Sequence, residues 1–316
     1  MTRRTFLVHS SLAPAALAAT KSIDLPWYRN SRKFAQLPIS RVAFVEKGSG
    51  PAALFLHGYP LNGYQWRGAI ERLHTYRRCI VPDLMSLGYT ETPEGQVITP
   101  ATQVEMLAAL LDSLHAGAVD LVANDSGGLV AQLFLAKYPG RVRSLLLTNC
   151  DVDENNPPAP FQPLIDLAKR GKLAEQFVAQ LNDKQLARSA RGLGSAYSYP
   201  DKLSDEMIEI YFRPLVTSAL RKSQLEAYTV ALGENVLVPI RERLQEWNGP
   251  ARMVWGLKDP LFPVQWAEWL DRTLPGSRGI KRAPEGNLFF PEEMPDLIAQ
   301  EARTLWSAGR KPIAYL

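Results

Sequence analysis

The stretch Val119-Asp-Leu-Val-Ala-Asn-Asp-Ser-Gly-Gly128 runs from an apolar segment into a group of small residues, and a helical pattern follows it. This order predicts a strand, a tight turn and a helix, which is the setting of a nucleophile elbow. The residue at the tip has a strained backbone, so the positions two before and two after it must be small. Ala123 and Gly127 meet this requirement around Asp125, whereas one of the two positions around Ser126 is an asparagine. We therefore expect Asp125 at the tip, with Ser126 or a purely structural turn as alternatives.

Five apolar runs alternate with segments of helical periodicity along the chain. The runs are nearly continuous in Val, Leu, Ile and Ala, which is typical of parallel strands covered on both faces. Strand–helix alternation predicts an α/β fold with right-handed crossovers. The predicted strands are Ala52–Leu56, Arg78–Val81, Val119–Ala123, Ser144–Thr148 and Ala251–Trp255, and the predicted helices are Gln65–His74, Ala101–Leu114, Leu129–Lys137, Gln265–Leu274 and Pro295–Trp306.

The alternation stops between residues 152 and 235, where charged helical patterns occur without a strand-like run. This segment is predicted to be a helical insertion that forms a cap. The flanking residues 41–151 and 236–316 are predicted to form the core. The predicted cap helices include Pro163–Arg170, Leu173–Leu181 and Asp205–Phe212.

The first twenty residues have the features of an export signal. Arg3 and Arg4 precede a short apolar stretch, and Ala16-Leu17-Ala18 is a small-x-small cleavage pattern. The string Thr-Arg-Arg-x-Phe-Leu resembles a twin-arginine signal. We expect a periplasmic or secreted protein, or a cytoplasmic one if the segment is not a working signal. Residues 21–40 are predicted to be a spacer.

The composition excludes several classes of protein. The 316 residues are 46% apolar and 22% charged, as in soluble globular proteins, and the net charge of +4 is too small for a nucleic-acid surface. Cys79 and Cys150 lie in apolar runs and are predicted to be buried thiols. The sequence has no membrane-spanning run, no phosphate-binding or dinucleotide motif and no metal-ligand cluster, so we expect no cofactor. The number of subunits is left open.

The elbow predicts chemistry in which an aspartate attacks carbon and forms an ester with the enzyme. Hydrolysis of that ester needs an oxyanion hole. The backbone N–H of Ser126 would supply one donor. The other would come from Tyr59 in the loop His57-Gly-Tyr-Pro60, which follows a predicted strand. His57 itself is predicted to shape this loop rather than to take part in catalysis.

Three motifs together carry a family resemblance. The His57–Pro60 loop with Tyr64-Gln-Trp-Arg67, the elbow, and Trp255-Gly-Leu-Lys-Asp-Pro-Leu-Phe262 occur in this order. They resemble the α/β-hydrolase superfamily, most of all its haloalkane dehalogenase and epoxide hydrolase branch with an aspartate nucleophile. The resemblance implies an eight-stranded, mostly parallel sheet flanked by helices, with a helical cap domain. It also implies that Asp259 orients a catalytic histidine.

The chain departs from this family at the histidine. The usual last loop is Gly-x-His-Phe followed by acidic residues and proline, and here Glu285-Gly-Asn-Leu-Phe-Phe-Pro stands in its place. Asn287 is predicted to occupy the histidine position and to pair with Asp259. An amide can orient a water molecule but cannot take its proton. Glu285 or Asp259 could serve as the base instead, or Asp125 could activate water directly.

The usual halide donors are also missing, because Ser126 and Tyr59 stand where the family has tryptophan and asparagine. Efficient dehalogenation is therefore not expected. Epoxide hydrolases donate a proton to the opening oxygen from cap tyrosines, and the sequence does not choose among Tyr197, Tyr199, Tyr211 and Tyr228.

The sequence predicts a cofactor-independent hydrolase for a small, largely apolar epoxide or ester. The alternatives are a catalytically impaired binder or single-turnover trap, and a cofactor-free lyase or isomerase.

Overall fold

The computed structural model describes residues 23–307, and within them eight strands form one sheet. The strands are β1 Arg32–Gln36, β2 Arg41–Lys47, β3 Ala52–Leu56, β4 Arg78–Pro82, β5 Val119–Asn124, β6 Val142–Thr148, β7 Ala251–Gly256 and β8 Ser277–Ala283. Their order in the sheet is β1-β2-β4-β3-β5-β6-β7-β8. The pairs β1/β2 and β2/β4 are antiparallel, and the remaining neighbours are parallel, which confirms the predicted α/β-hydrolase fold.

The central strands have no solvent-facing side. Every residue of β3 and β5 is buried, so their apolar runs pack against helices on both faces of the sheet. Among these helices α2 packs against α13, and α3 packs against α4. The helices of the core are α1 Leu25–Asn30, α2 Arg67–Leu73, α3 Pro100–Ser113, α4 Ser126–Lys137, α10 Arg241–Glu246, α11 Gln265–Thr273, α12 Phe290–Glu293 and α13 Pro295–Ser307.

The chain between β6 and β7 is helical, as the sequence predicts. Within it, residues 152–235 hold short 3₁₀ turns and five α-helices. They are α5 Gln162–Lys169, α6 Leu173–Asn182, α7 Lys184–Arg188, α8 Asp205–Phe212 and α9 Ala219–Ala231.

Residues 23–40 of the predicted spacer are part of the fold. Asp24 accepts a hydrogen bond from the N–H of Trp27 (2.8 Å) and so caps α1, and β1 pairs with β2 along its length. Ile23 is buried, and its N–H donates to Glu71. The predicted export signal, residues 1–20, lies outside the described residues.

The strands β3, β5, β6 and β7 are parallel, so their carboxyl ends lie on the same side of the sheet. The segments that follow these strands carry Tyr59, Asp125, Asp151 and Asp259 respectively. Within residues 23–307 no helix is long and apolar enough to cross a membrane.

Candidate active site

The turn after β5 is centred on Asp125. Its φ of 53° and ψ of −132° lie where a residue with a side chain is strained, and such strain costs on the order of 1–3 kcal/mol. A Cβ atom on Gly127 would lie 2.5 Å from the carbonyl oxygen of His57, so only glycine allows the elbow to approach the loop after β3. The backbone therefore has the register that the sequence predicts, with Asp125 rather than Ser126 at the tip.

The two predicted oxyanion donors both face the Asp125 carboxylate. The N–H of Tyr59 donates to Asp125 Oδ2 at 2.7 Å, and the backbone N–H of Ser126 also hydrogen-bonds to this carboxylate. Burial raises the pKa of Asp125 well above its usual range, and the charge of Asp151 raises it further, whereas the two N–H groups lower it. The site thus brings the N–H groups of Tyr59 and Ser126 together at the Asp125 carboxylate.

Two buried asparagines that were not predicted from the sequence hold the elbow in place. The Asn149 carbonyl accepts from the N–H of Asp125 (2.7 Å), while its side-chain amide bonds both the N–H and the carbonyl of Gly256. Asn124 accepts from Gln65 (2.6 Å) and donates to the Asn149 and Leu288 carbonyls. Together they connect the ends of β5, β6 and β7 to the last core loop.

Asp259 is tied into this framework. Its Oδ2 accepts from the Asn149 amide and its Oδ1 from the N–H of Leu261, both at 2.8 Å. Burial raises the pKa of Asp259 to about 6, although these donors lower it. Asp259 therefore holds the loops after β6 and β7 in place.

Asp151 is a third buried carboxylate, which the sequence analysis did not single out. Its Oδ1 accepts from the Asn156 amide at 3.1 Å, and its backbone carbonyl accepts from Gln132 at 2.8 Å. Burial raises the pKa of Asp151 to about 7. The sequence signal was its place shortly after a predicted strand, where parallel sheets collect their functional groups.

The structure places Leu288, and not Asn287, at the position expected for histidine. The Asn287 amide donates to the Ser195 and Tyr197 carbonyls of the cap, at 2.9 and 3.3 Å. Among residues 23–307 it makes no hydrogen bond to Asp259 or Asp125. Leu288 is the residue that lines the same pocket as Asp125. In the pattern Gly-x-His-Phe, the glycine and phenylalanine on either side also align Leu288 with the histidine, so the prediction for Asn287 was one residue out of register.

His57 and Glu285 are the other side chains to consider as bases, and both are engaged in other contacts. His57 Nε2 accepts from the N–H of Leu84 at 3.0 Å, so its Nδ1 carries the proton and donates to Gly58 at 2.9 Å. Burial lowers the pKa of His57, and both ring nitrogens are occupied, as the predicted loop-shaping role requires. Glu285 is exposed and pairs with Lys258.

The four cap tyrosines have different environments. Tyr197 and Tyr211 both donate to the Glu292 carboxylate, at 2.5 and 2.6 Å, and Tyr199 is exposed. The Tyr228 hydroxyl is buried without a partner that meets hydrogen-bond geometry among the described residues. Burial raises the pKa of Tyr228, and the charges of Asp125 and Asp151 raise it further, whereas the Gln103 side chain lowers it.

Two cavities meet at Asp125. The larger one measures about 250 Å³ and has mainly apolar walls, including Phe161, Phe177, Phe212 and Leu288. The smaller one measures about 20 Å³ and is lined by Asp125, Ser126, Asp151, Tyr59 and the apolar residues around them. Neither wall contains a histidine or a tryptophan from the described part of the chain, and no three His, Cys, Asp or Glu residues between 23 and 307 are arranged to hold a metal ion.

Comparison with known proteins finds a matching family model and several similar proteins. Residues 51–293 match the family model of the alpha/beta hydrolase fold. The chain is 30% identical to a haloalkane dehalogenase of Mesorhizobium japonicum over 61% of its length, and the match spans 63% of that relative. It is also 30% identical to a cis-3-alkyl-4-alkyloxetan-2-one decarboxylase of Shewanella oneidensis, over 72% of this chain and 75% of the relative. An epoxide hydrolase 2 of Siraitia grosvenorii is 41% identical over a shorter segment, 31% of this chain and 32% of the relative.

The family model covers more than half of the chain, and it includes the elbow and the loop that follows β3. The chain therefore belongs to the α/β-hydrolase family and is an α/β-fold hydrolase.

Proposed function

We propose that this protein hydrolyses a small, largely apolar epoxide through an ester formed on Asp125. The Asp125 carboxylate attacks an epoxide carbon, the carbon–oxygen bond of the ring breaks, and the opened oxygen takes the proton of the Tyr228 hydroxyl. Water then hydrolyses the ester and releases a diol. Tyr59 and Ser126 supply the backbone N–H groups that stabilise the oxyanion of this second step.

The proposal rests on which group accepts the hydrogen bonds of the oxyanion hole. Tyr59 donates at 2.7 Å to an oxygen of Asp125 itself, so the hole is arranged around the enzyme's own carboxylate. Such a hole stabilises the oxyanion that forms when water attacks an ester of Asp125. Direct hydrolysis of a substrate ester would need these donors at the substrate carbonyl. The arrangement therefore favours the epoxide over the ester as substrate.

Tyr228 is the favoured proton donor among the cap tyrosines. Its hydroxyl has no partner that meets hydrogen-bond geometry in the described residues, and the charges of Asp125 and Asp151 raise its pKa. Tyr197 and Tyr211 are already bonded to Glu292. A buried hydroxyl without a partner costs free energy, and a substrate oxygen would provide that partner.

The larger cavity supports a small apolar substrate. Its volume of about 250 Å³ is at the low end for ligand pockets, and Phe161, Phe177 and Phe212 form much of its wall. The same wall disfavours a halide, because no indole N–H from residues 23–307 faces it. The similarity to a dehalogenase therefore supports the fold more than the leaving group.

The test is intact-mass spectrometry after rapid quenching, with a panel of terminal alkyl and aryl epoxides and p-nitrophenyl esters. We expect a mass increase equal to one epoxide, located on Asp125, and diol formation. A single turnover in H₂¹⁸O should place the label in the Asp125 carboxylate before it appears in the diol. Asp125→Asn is the matched variant and should form neither adduct nor diol.

Two results would contradict the proposal. One is full activity in Asp125→Asn. The other is direct appearance of the label in the diol during the first turnover, because that would show water, rather than Asp125, attacking the epoxide.

A lyase acting on a strained ring is the second candidate. The relative from Shewanella oneidensis is named for decarboxylation of a four-membered oxetanone ring, and a second relative of this name, from Xanthomonas campestris, is 26% identical over 83% of this chain. Asp125 would then open the ring without net hydrolysis. Release of carbon dioxide from a dialkyl oxetanone, without ¹⁸O in the organic product, would favour this candidate.

A further inference from the structure

Two more buried carboxylates, Asp259 and Asp151, lie with Asp125 at the carboxyl ends of the strands. Only one of them has room for a further hydrogen-bond partner. Asp259 has donors on both oxygens. Asp151 receives one side-chain hydrogen bond, from Asn156, in addition to the contact with its own backbone N–H. Asp151 also lines the smaller cavity, together with Asp125, whereas Asp259 does not.

The smaller cavity has the size and polarity of a water site. Its volume of about 20 Å³ is enough for about one water molecule. Ser126 lines this cavity, and its hydroxyl is buried with no hydrogen-bond partner in residues 23–307. A water molecule there could bond the Ser126 hydroxyl and the Asp151 carboxylate at once. Asp125 thus has a substrate cavity on one side and a water-sized cavity on the other.

We propose that Asp151 is the general base that activates this water for hydrolysis of the ester on Asp125. The inference rests on the proposed function, because it requires that ester. It gives the chain a proton acceptor although Leu288 occupies the histidine position and both ring nitrogens of His57 are engaged.

The protons balance through Asp151 and Tyr228. Asp151 takes one proton from the water as the water oxygen bonds to the carbonyl carbon of the Asp125 ester. When the intermediate collapses, the bond from that carbon to the diol oxygen breaks, and the diol oxygen receives the proton from Asp151. Asp125 is left as a carboxylic acid and returns its proton to the Tyr228 phenolate formed during ring opening.

The charges around Asp151 suit its role as a general base. The titratable groups that interact with Asp151 are Asp125, Asp259, Cys150 and Tyr228, and none is cationic. Burial holds the pKa of Asp151 at about 7, near the pH at which a general base works best.

The test compares the decay of the adduct in the full chain and in two variants, using the epoxide panel and rapid-quench intact mass. In Asp151→Asn the adduct should form and then persist at least about 100-fold longer than in the unmodified protein, because base catalysis contributes about 10²–10⁴-fold. Glu285→Gln removes an exposed carboxylate and should decay like the unmodified protein. The decay rate of the unmodified protein should rise with pH to about 7 and then level off, and Asp151→Asn should lose this inflection.

Asp151→Glu separates a lost base from a damaged fold. It keeps a carboxylate and should recover part of the hydrolysis rate. Equal decay in Asp151→Asn and the unmodified protein would overturn the inference, as would an unmodified adduct that never decays. An adduct that forms in Asp151→Glu but not in Asp151→Asn would also overturn it, since Asp151 would then act in the first step. No adduct in any of these proteins would overturn the proposed function and, with it, the inference.

Discussion

At the scale of single residues, the side chain at position 288 bears on how the proposed ester on Asp125 would be hydrolysed. Leu288 lines the cavity beside Asp125 but offers no nitrogen. We expect Leu288→His to accelerate decay of the Asp125 adduct by about tenfold or more, at the lower end of what base catalysis supplies because Asp259 remains bonded to Asn149. Rapid-quench mass spectrometry measures the decay.

Asn287→His is the matched control for this prediction. The side chain at 287 faces the cap carbonyls of Ser195 and Tyr197, so a histidine there should leave adduct decay unchanged. A gain from Asn287→His, with none from Leu288→His, would show that Asn287 holds the histidine position after all.

Asp151 should also make stability depend on pH. Its folded pKa of about 7 exceeds the unfolded value of 3.8, so the folded protein binds more protons between these values. Stability from this group is full below about pH 4 and is lost as the pH rises through 7. Asp151→Asn cannot ionise and should therefore gain stability relative to the unmodified protein, by on the order of 2–4 kcal/mol between pH 4 and pH 8.

Urea unfolding at both pH values measures this difference. Glu154→Gln, three residues along the chain and exposed, serves as the control and should show no such pH-dependent gain. A difference between Asp151→Asn and the unmodified protein that is the same at pH 4 and pH 8 would contradict the assignment.

Local sequence predicted the tip of the elbow but not its partners. Ala123 and Gly127 indicate the turn around Asp125 because the strain there depends on immediate neighbours. Asp151 and Asn149 reach the site only because β6 lies beside β5 and β7 in the sheet. No spacing along the chain encodes that neighbourhood, so the sequence offered only the place of these residues after a predicted strand.

At the scale of elements, the last core loop is fastened to the cap. The N–H of Phe289 donates to the Ala196 carbonyl at 2.9 Å, and Glu293 accepts from the N–H groups of Ser198 and Tyr199 at 2.9 and 2.7 Å. Nearby, the buried Glu292 binds Arg67 of the core as well as two cap tyrosines. These contacts fix the cap over the end of the sheet where the cavities lie.

Glu292→Gln should loosen this connection and lower stability by about 2–4 kcal/mol. The change leaves the mostly buried Arg67 without its counter-charge, and breaking such a pair is costly. Glu285→Gln in the same loop breaks only the exposed pair with Lys258 and should change stability by less than about 1 kcal/mol. Thermal unfolding of the two variants checks the difference, and equal losses would contradict a role for Glu292 in joining cap and core.

Strands could be predicted from the sequence where burial on both faces makes them apolar throughout. The five predicted strands are all present, because a strand covered on both faces is apolar throughout. The outer strands β1, β2 and β8 were missed. β1 and β8 are the two edges of the sheet, and most of their residues are partly or fully exposed. Pairing with a neighbour defines such strands, and their composition does not.

At the scale of the whole molecule, the contacts made by Ile23 and by α1 involve residues that follow the predicted cleavage pattern. Ile23 is buried against the core, and α1 starts at Leu25. Cleavage after Ala18 would therefore remove none of these contacts. A twin-arginine route carries folded proteins, which suits a core of this size that needs no disulfide and whose two cysteines are buried and free.

Export through this route stays a prediction, and it can be tested with the full chain in a bacterial host. We expect the protein in the periplasmic fraction, with a mature N-terminus directly after Ala18 by intact mass. Replacing both Arg3 and Arg4 by lysine keeps the positive charge but removes the twin-arginine pair, so the precursor should stay in the cytoplasm at full length. The same double change should leave epoxide turnover in lysates intact, because α1 and the core follow the signal. Equal periplasmic yield from both forms would rule out the twin-arginine route, and an uncleaved cytoplasmic product from the unmodified sequence would rule out a working signal.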